Sequence, residues 1–193
     1  MMQGADDAKM KARDYFRTRC TDMPAQTIRA GVRDACDALM RFLATVPAAA
    51  VARRPAPDEW SVQEVVDHLV ETYRPGLDEL RCLLAGQEPS GDPIAASLQS
   101  KAPLLRPWPW LLRELDVLHA DVAAALAAAP DDLEPGPRAP IVMVVNVPQP
   151  GGGFTPIHWV EAIDWKAYAM VSWRLHPIDH LKQARAALAA VRG

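Results

Sequence analysis

The stretch "SVQEVVDHLVETYRPGLDELRCLL", residues 61–84, has the features of a long amphipathic helix with a defined beginning. Ser61 followed three residues later by Glu64 predicts a capping box, in which each side chain bonds the other residue's backbone amide. Apolar residues then recur at intervals of three and four, which is the helical period. The predicted buried face consists of Val62, Val65, Val66, Leu69, Tyr73 and Leu80. Pro75 lacks a backbone donor, so we predict a kink or an interruption there.

Three other stretches repeat this period. Their apolar residues predict helices over 24–46, 110–129 and 155–191, and a further helix is predicted over 5–20. Proline-rich segments connect these stretches. Long amphipathic helices with such connections predict an all-α four-helix bundle, because helix faces then supply the only common core. The short helix predicted near the N-terminus is an addition to that bundle.

The chain between the third and fourth predicted helices is rich in proline and glycine. Residues 130–154 are predicted to form a long loop, within which the β-branched segment 141–147 is extended or strand-like. Thr155 is the predicted N-cap of the last helix, with a proline at its first position. Pro177 predicts a kink or break later in that helix.

Length and composition limit the classes of protein that this chain can form. A chain of 193 residues is predicted to fold as one domain, 1–193, with 1–22 as an N-terminal arm or helix. The formal charge of -3 gives no basic field for nucleic acid or anionic lipid. No signal peptide or membrane-spanning run is evident, which predicts a cytoplasmic protein. The three cysteines form no CxxC pair and are expected to be free thiols.

Three histidines are candidates for a shared site. His68 lies at the edge of its helix's apolar face, where the plainer interpretation is a half-buried histidine bonded to a carbonyl. His176 and His180 are four residues apart, so both imidazoles project from one side of a helix. This spacing can present two nitrogen ligands to one divalent ion, although H-x-x-x-H alone is a weak signal.

A tryptophan-serine helix start followed by "EVVDHL", and a much later "HPIDHLKQ", resemble the DinB/YfiT-like superfamily of metal-binding four-helix bundles. The resemblance implies that His68, His176 and His180 are metal ligands, with water or substrate completing the shell. It further implies a homodimer and, in some relatives, activation of a low-molecular-weight thiol such as mycothiol, bacillithiol or glutathione. This chain differs in having Pro177 where relatives often have an acidic residue. Its longer 130–154 span is a candidate lid or dimer contact.

Several other residues are candidates for supporting roles. Neutral imidazoles suit Zn, Ni, Fe or Cu and need groups behind them, for which Asp67, Asp179 and Gln183 are candidates. Each is as readily explained as a solvated helix residue. Glu71, one turn after His68, is a candidate base.

The remaining histidines and the tryptophans have plainer interpretations. His119 and His158 are candidate substitute ligands or proton carriers, but a packed or capping role is favoured for both. Core packing or loop anchoring also explains the tryptophans more simply than a shared apolar pocket. The five considered for such a pocket are Trp108, Trp110, Trp159, Trp165 and Trp173.

The resulting hypothesis is a divalent-metal-dependent thiol transferase or hydrolase that acts on a small-molecule substrate. The alternative is a non-catalytic bundle, metal-free or metal-storing, that binds an apolar small molecule or dimerises. No Walker loop, dinucleotide-binding glycine motif or nucleophile elbow favours another enzyme class.

Overall fold

A computed structural model describes residues 2–148 and 151–192 of the chain. Its elements, in chain order, are α1 (Met2–Phe16), α2 (Ala25–Leu43), α3 (Val62–Leu84), α4 (Trp108–Ala128), β1 (Ala139–Pro148), β2 (Phe154–Ile163), α5 (Trp165–Met170) and α6 (His176–Arg192). Two π-helical segments, Arg17–Thr21 and Val171–Leu175, follow α1 and α5, and a short 3-10 turn occupies Pro103–Leu105. The protein is therefore mostly helical, as predicted, with one small two-stranded sheet.

Four long helices enclose the core. Helix α3 packs against α4 and α6, while α2 packs against α4, α5 and α6. Because each helix turns its apolar face inward, the largest fully buried side chains come from α2, α3, α4 and the segment of α5 and the π-helical turn that leads into α6. Among them are Ile28, Leu39, Leu69, Leu80, Leu111, Leu115, Trp165 and Trp173. The N-terminal helix α1 lies outside this group and contacts β1.

Helix α3 begins as the sequence predicts. The Ser61 hydroxyl accepts from the Glu64 amide, and the Glu64 carboxylate accepts from the Ser61 amide. Pro75 does not interrupt the helix, so the prediction of an interruption was wrong. Tyr73 and Leu77 on either side of it are buried in the bundle, and this tertiary packing holds the helix together where one backbone bond is missing.

The predicted start of the last helix was also wrong. Residues 154–163 form β2, which pairs with β1 in an antiparallel register that sets Trp159 against Met143. The prediction of a strand over 141–147 is confirmed by β1, so much of the predicted 130–154 loop is a hairpin. The helix begins instead at Trp165, because the Asp164 side chain accepts from the amides of Lys166 and Ala167.

Pro177 changes the helix without ending it. The segment Val171–Leu175 just before it is π-helical, and regular α-helix resumes at His176. The missing amide of Pro177 would otherwise bond the carbonyl of Trp173. The Cys36 thiol approaches that carbonyl oxygen at 3.9 Å and supplies a weak donor in its place.

The hairpin turn lies at a run of glycines. Gly152 and Gly153 have φ values of 87° and 78°, a left-handed conformation that favours glycine. No helix within the described residues is long and apolar enough to cross a membrane.

Candidate metal centre

Three imidazoles from two distant parts of the chain meet at one point. One nitrogen from each of His68, His176 and His180 lies within 4.8 Å of the others. The Nε2 atoms of His68 and His176 are 3.0 Å apart, and the ring centroids are separated by 4.5 to 5.1 Å. Two nitrogens bound to one tetrahedral zinc ion would be about 3.3 Å apart, given Zn–N bonds of about 2.0–2.1 Å. The three residues therefore fit a divalent ion.

Each ring comes from a firmly held helical turn. His68 is buried in the second turn of α3, which the capping box fixes to the bundle. His176 and His180 stand one turn apart at the start of α6, directly after the π-helical segment. Both are half-buried, so the cluster is open on their side. An arrangement of three protein ligands with an open side is typical of catalytic rather than structural metal sites.

A hydrogen bond orients each ring from behind. His68 Nδ1 bonds the Leu98 carbonyl oxygen at 2.7 Å, and His180 Nδ1 bonds Gln183 Oε1 at 2.8 Å. The His176 ring bonds the backbone carbonyl of Ser172. Since these acceptors need a proton on the bonded nitrogen, the other ring nitrogen keeps its lone pair. The free lone pairs then face one another at the centre of the cluster.

Burial also keeps the rings neutral. Burial lowers the pKa of His68 and holds the pKa of His176 well below its usual range. The pKa of His180 falls to about 4, mainly through burial and then through the nearby His68. Neutral imidazole is the form that binds metals, so the cluster is ready to accept a cation at neutral pH.

Of the three predicted supporting residues, Gln183 alone bonds a ring of the cluster within the described residues. Asp67 accepts from the amide and hydroxyl of Ser100 and pairs with Arg106. It thereby holds the loop that carries the Leu98 carbonyl. Asp179 pairs with Lys182 at the surface.

Glu71, the candidate base, is not part of the three-histidine group. It pairs with Arg74 and Arg106. The Trp60 ring, by contrast, lies 5.1 Å from the His68 ring and stacks on the His180 ring at 6.3 Å. Trp60 is the tryptophan of the tryptophan-serine helix start, and its contact with the rings was not predicted from the sequence.

The other two histidines lie elsewhere. His119 is buried against Tyr73, with ring centroids 5.8 Å apart, and burial lowers its pKa to about 4. Neither of its ring nitrogens has a hydrogen-bond partner in the described part of the chain. His158 is exposed on β2 rather than near a helix start. The structure thus brings neither residue to the cluster.

A cavity of about 120 Å³ adjoins the cluster. His68 and His176 line one part of it, and the first residues of β1 form a wall. These β1 residues belong to the span 130–154, so the segment predicted as a lid or dimer contact closes one side of the cavity. Of the five tryptophans considered for an apolar pocket, Trp173 alone lines this cavity.

The sequence pattern of the DinB superfamily matches residues 32–165, which is more than half of the chain. The chain belongs to the DinB superfamily. This confirms the resemblance seen in the sequence and agrees with the helical fold. No match was found among curated proteins. The matched range contains His68, whereas His176 and His180 lie beyond it, so the geometry of this DinB superfamily member is what joins the three rings.

Proposed function

We propose that this protein is a divalent-metal-dependent enzyme whose ion is held by His68, His176 and His180. The supporting observation is that three neutral rings converge while each is hydrogen-bonded from behind. A divalent ion in such a site lowers the pKa of a thiol or water that completes its shell. The reaction class is thiol transfer or hydrolysis, with a low-molecular-weight thiol as the candidate second cofactor.

The chain's own residues have separate tasks in this proposal. The Leu98 carbonyl and Gln183 fix the orientation of His68 and His180. Trp60 covers one side of the rings and limits the access of water there. The adjoining cavity holds the small-molecule substrate beside His68 and His176.

Metal analysis of protein purified without a histidine tag tests the proposal. We expect about one divalent ion per chain, lost in the His176→Ala variant. His158→Ala is the matched control, because His158 is an exposed histidine on β2 and its loss should leave the metal content unchanged. If wild-type protein carries no metal and takes up none on dialysis against Zn²⁺, Ni²⁺ or Fe²⁺, a non-catalytic bundle replaces the proposal. Metal-loaded protein would next be screened with several thiols.

We also propose that the protein forms a homodimer through one face of the hairpin. Side chains on that face alternate along both strands and include no Asp, Glu, Lys or Arg. They are Val142, Val144, Asn146, Pro148, Phe154, Pro156, His158 and Val160. Phe154 is 69% exposed and Val160 is 56% exposed, whereas a paired copy would bury both. A second copy of this uncharged surface is its best complement, since a two-fold axis places equal surfaces together.

A further inference from the structure

The cavity beside the histidines is mostly apolar but has a polar end. Its apolar lining includes Ile94, Ile141, Val171 and Trp173. Glu79 and Tyr168 also line it, and they lie at a distance from the histidines. Residues 68, 72, 76 and 79 of α3 line the cavity in turn, so Glu79 stands about three helical turns beyond His68.

Among the described residues, one donor holds the Glu79 carboxylate in place. The Tyr168 hydroxyl donates to Glu79 Oε2 at 2.5 Å. No Lys or Arg in the described residues lies within 4 Å of the Glu79 carboxylate, although Glu79 is half-buried. Burial accordingly raises its pKa.

This lack of a cation is unusual within the chain. Every other buried or half-buried glutamate of the described residues pairs with an arginine. These glutamates are Glu64, Glu71, Glu114 and Glu161. Since removing a carboxylate from water is costly without a compensating charge, a partner from outside the chain would stabilise Glu79.

The space for such a partner is maintained by a glycine. A Cβ atom at Gly76 would lie 3.4 Å from the Tyr168 hydroxyl and 3.8 Å from Ile94 Cδ1. The cavity's 120 Å³ is close to the roughly 150 Å³ that holds a benzene molecule in an engineered apolar cavity. It therefore suits a group of about five or six non-hydrogen atoms.

We infer that this cavity is a binding site for the primary ammonium group of a small organic amine, which pairs with the Glu79 carboxylate while its hydrocarbon part contacts Ile94, Ile141 and Trp173. Tyr168 is a positioning residue, since its hydroxyl fixes Oε2 and leaves Oε1 to the ligand. The inference rests on the proposed function only in taking this cavity as the place where the substrate binds. It defines the charge that the substrate should carry.

The test uses three probes of similar size: n-butylamine, 1-butanol and butanoate. Their binding to the full chain is followed by two-dimensional ¹H–¹⁵N NMR titration at pH 7.5 in an amine-free buffer. We expect butylamine to bind about tenfold more tightly than butanol, as one charge-assisted hydrogen bond predicts. Butanoate should bind most weakly, because its charge repels Glu79.

Variants assign the preference to Glu79. Glu79→Gln keeps the shape of the side chain and should bring the affinity for butylamine down to that for butanol. Glu88→Gln, at an exposed position, is the matched control and should behave as wild type. Gly76→Ala should weaken the binding of both probes, because the new methyl group occupies part of the cavity.

Equal binding of butylamine and butanol to the wild type would overturn the inference, as would a preference that survives in Glu79→Gln. The titrations are run on chelator-treated protein and repeated after addition of Zn²⁺. A protein that binds no Zn²⁺ but still selects butylamine would refute the metal proposal and leave the amine site standing. A protein that binds Zn²⁺ but does not prefer butylamine would refute the amine site and leave the metal proposal standing.

Discussion

Replacing Gly76 with alanine should stabilise the protein while it obstructs the cavity. Glycine inside a helix is less favourable than alanine by about 0.5–1 kcal/mol, and Gly76 lies in the interior of α3. The added Cβ would meet its nearest neighbours at 3.4 and 3.8 Å, which are ordinary van der Waals distances. No steric clash therefore offsets the gain in stability that alanine gives inside the helix. For a chain of this size we expect the melting temperature to rise by about 2–4 °C per kcal/mol.

Gly31→Ala is the matched comparison, because Gly31 is also inside a helix, α2. Its added Cβ would lie only 2.9 Å from Arg174 Cδ and 3.1 Å from Nε, so the arginine must move. The same helix-propensity gain is thus reduced by a steric cost. Urea denaturation of both variants measures the two free energies of unfolding. If Gly76→Ala is less stable than the wild type, or no more stable than Gly31→Ala, the close contacts are not what decides the outcome.

Three further predictions concern acid stability, the metal centre and the dimer. The pKa of His119 is about 4 in the folded state and about 6.5 in the unfolded state. Between these values the unfolded chain binds the proton more readily than the folded chain does. The contribution of neutral His119 to the free energy of unfolding is therefore complete above pH 6.5 and is lost as the pH falls toward 4. The loss reaches about 1.4 kcal/mol per pH unit. The His119→Phe variant should reduce the slope of the free energy of unfolding against pH by that amount. An unchanged slope would show that His119 does not cause this pH dependence. Gln183→Leu removes the acceptor behind His180 and should weaken Zn²⁺ binding about 10–100-fold in a chelator competition, whereas the control Asp179→Asn should not. Val144→Glu combined with Val160→Glu puts charges on the uncharged hairpin face, and light scattering after size exclusion should find monomers; persistent dimers would locate the interface elsewhere.

The bundle was predictable because burial imposes a helical period on long segments. Helices α2, α3 and α4 appear within a few residues of their predicted bounds. The residues of β2 misled the prediction because Trp159 and Ile163, four apart, fit both a helical face and an alternating strand. The strand is decided by pairing with β1, a contact between segments that local spacing does not reveal.

The candidate site was predictable in its histidines but not in what surrounds them. Leu98 acts through its backbone carbonyl, so the identity of its side chain carries no signal. Glu79 and Tyr168 are 89 residues apart and belong to no motif. Their role follows from the shape of the cavity, which depends on how α3 and α5 pack.

The π-helical segment explains how Pro177 is compatible with a histidine cluster. From Trp165 the buried positions advance in steps of four, through Trp173 to Leu181. In a regular α-helix each step of four turns the buried face by about 40°, so it would drift by about 160° over the four steps. A π-helical turn holds about one residue more than an α-helical turn, which corresponds to about 100°, so it takes up most of this excess and keeps the buried face toward the core. His176 and His180 each precede a buried residue of that face by one position. They therefore stand at its edge, half-buried and turned toward His68, and this placement depends on the distortion that Pro177 makes favourable.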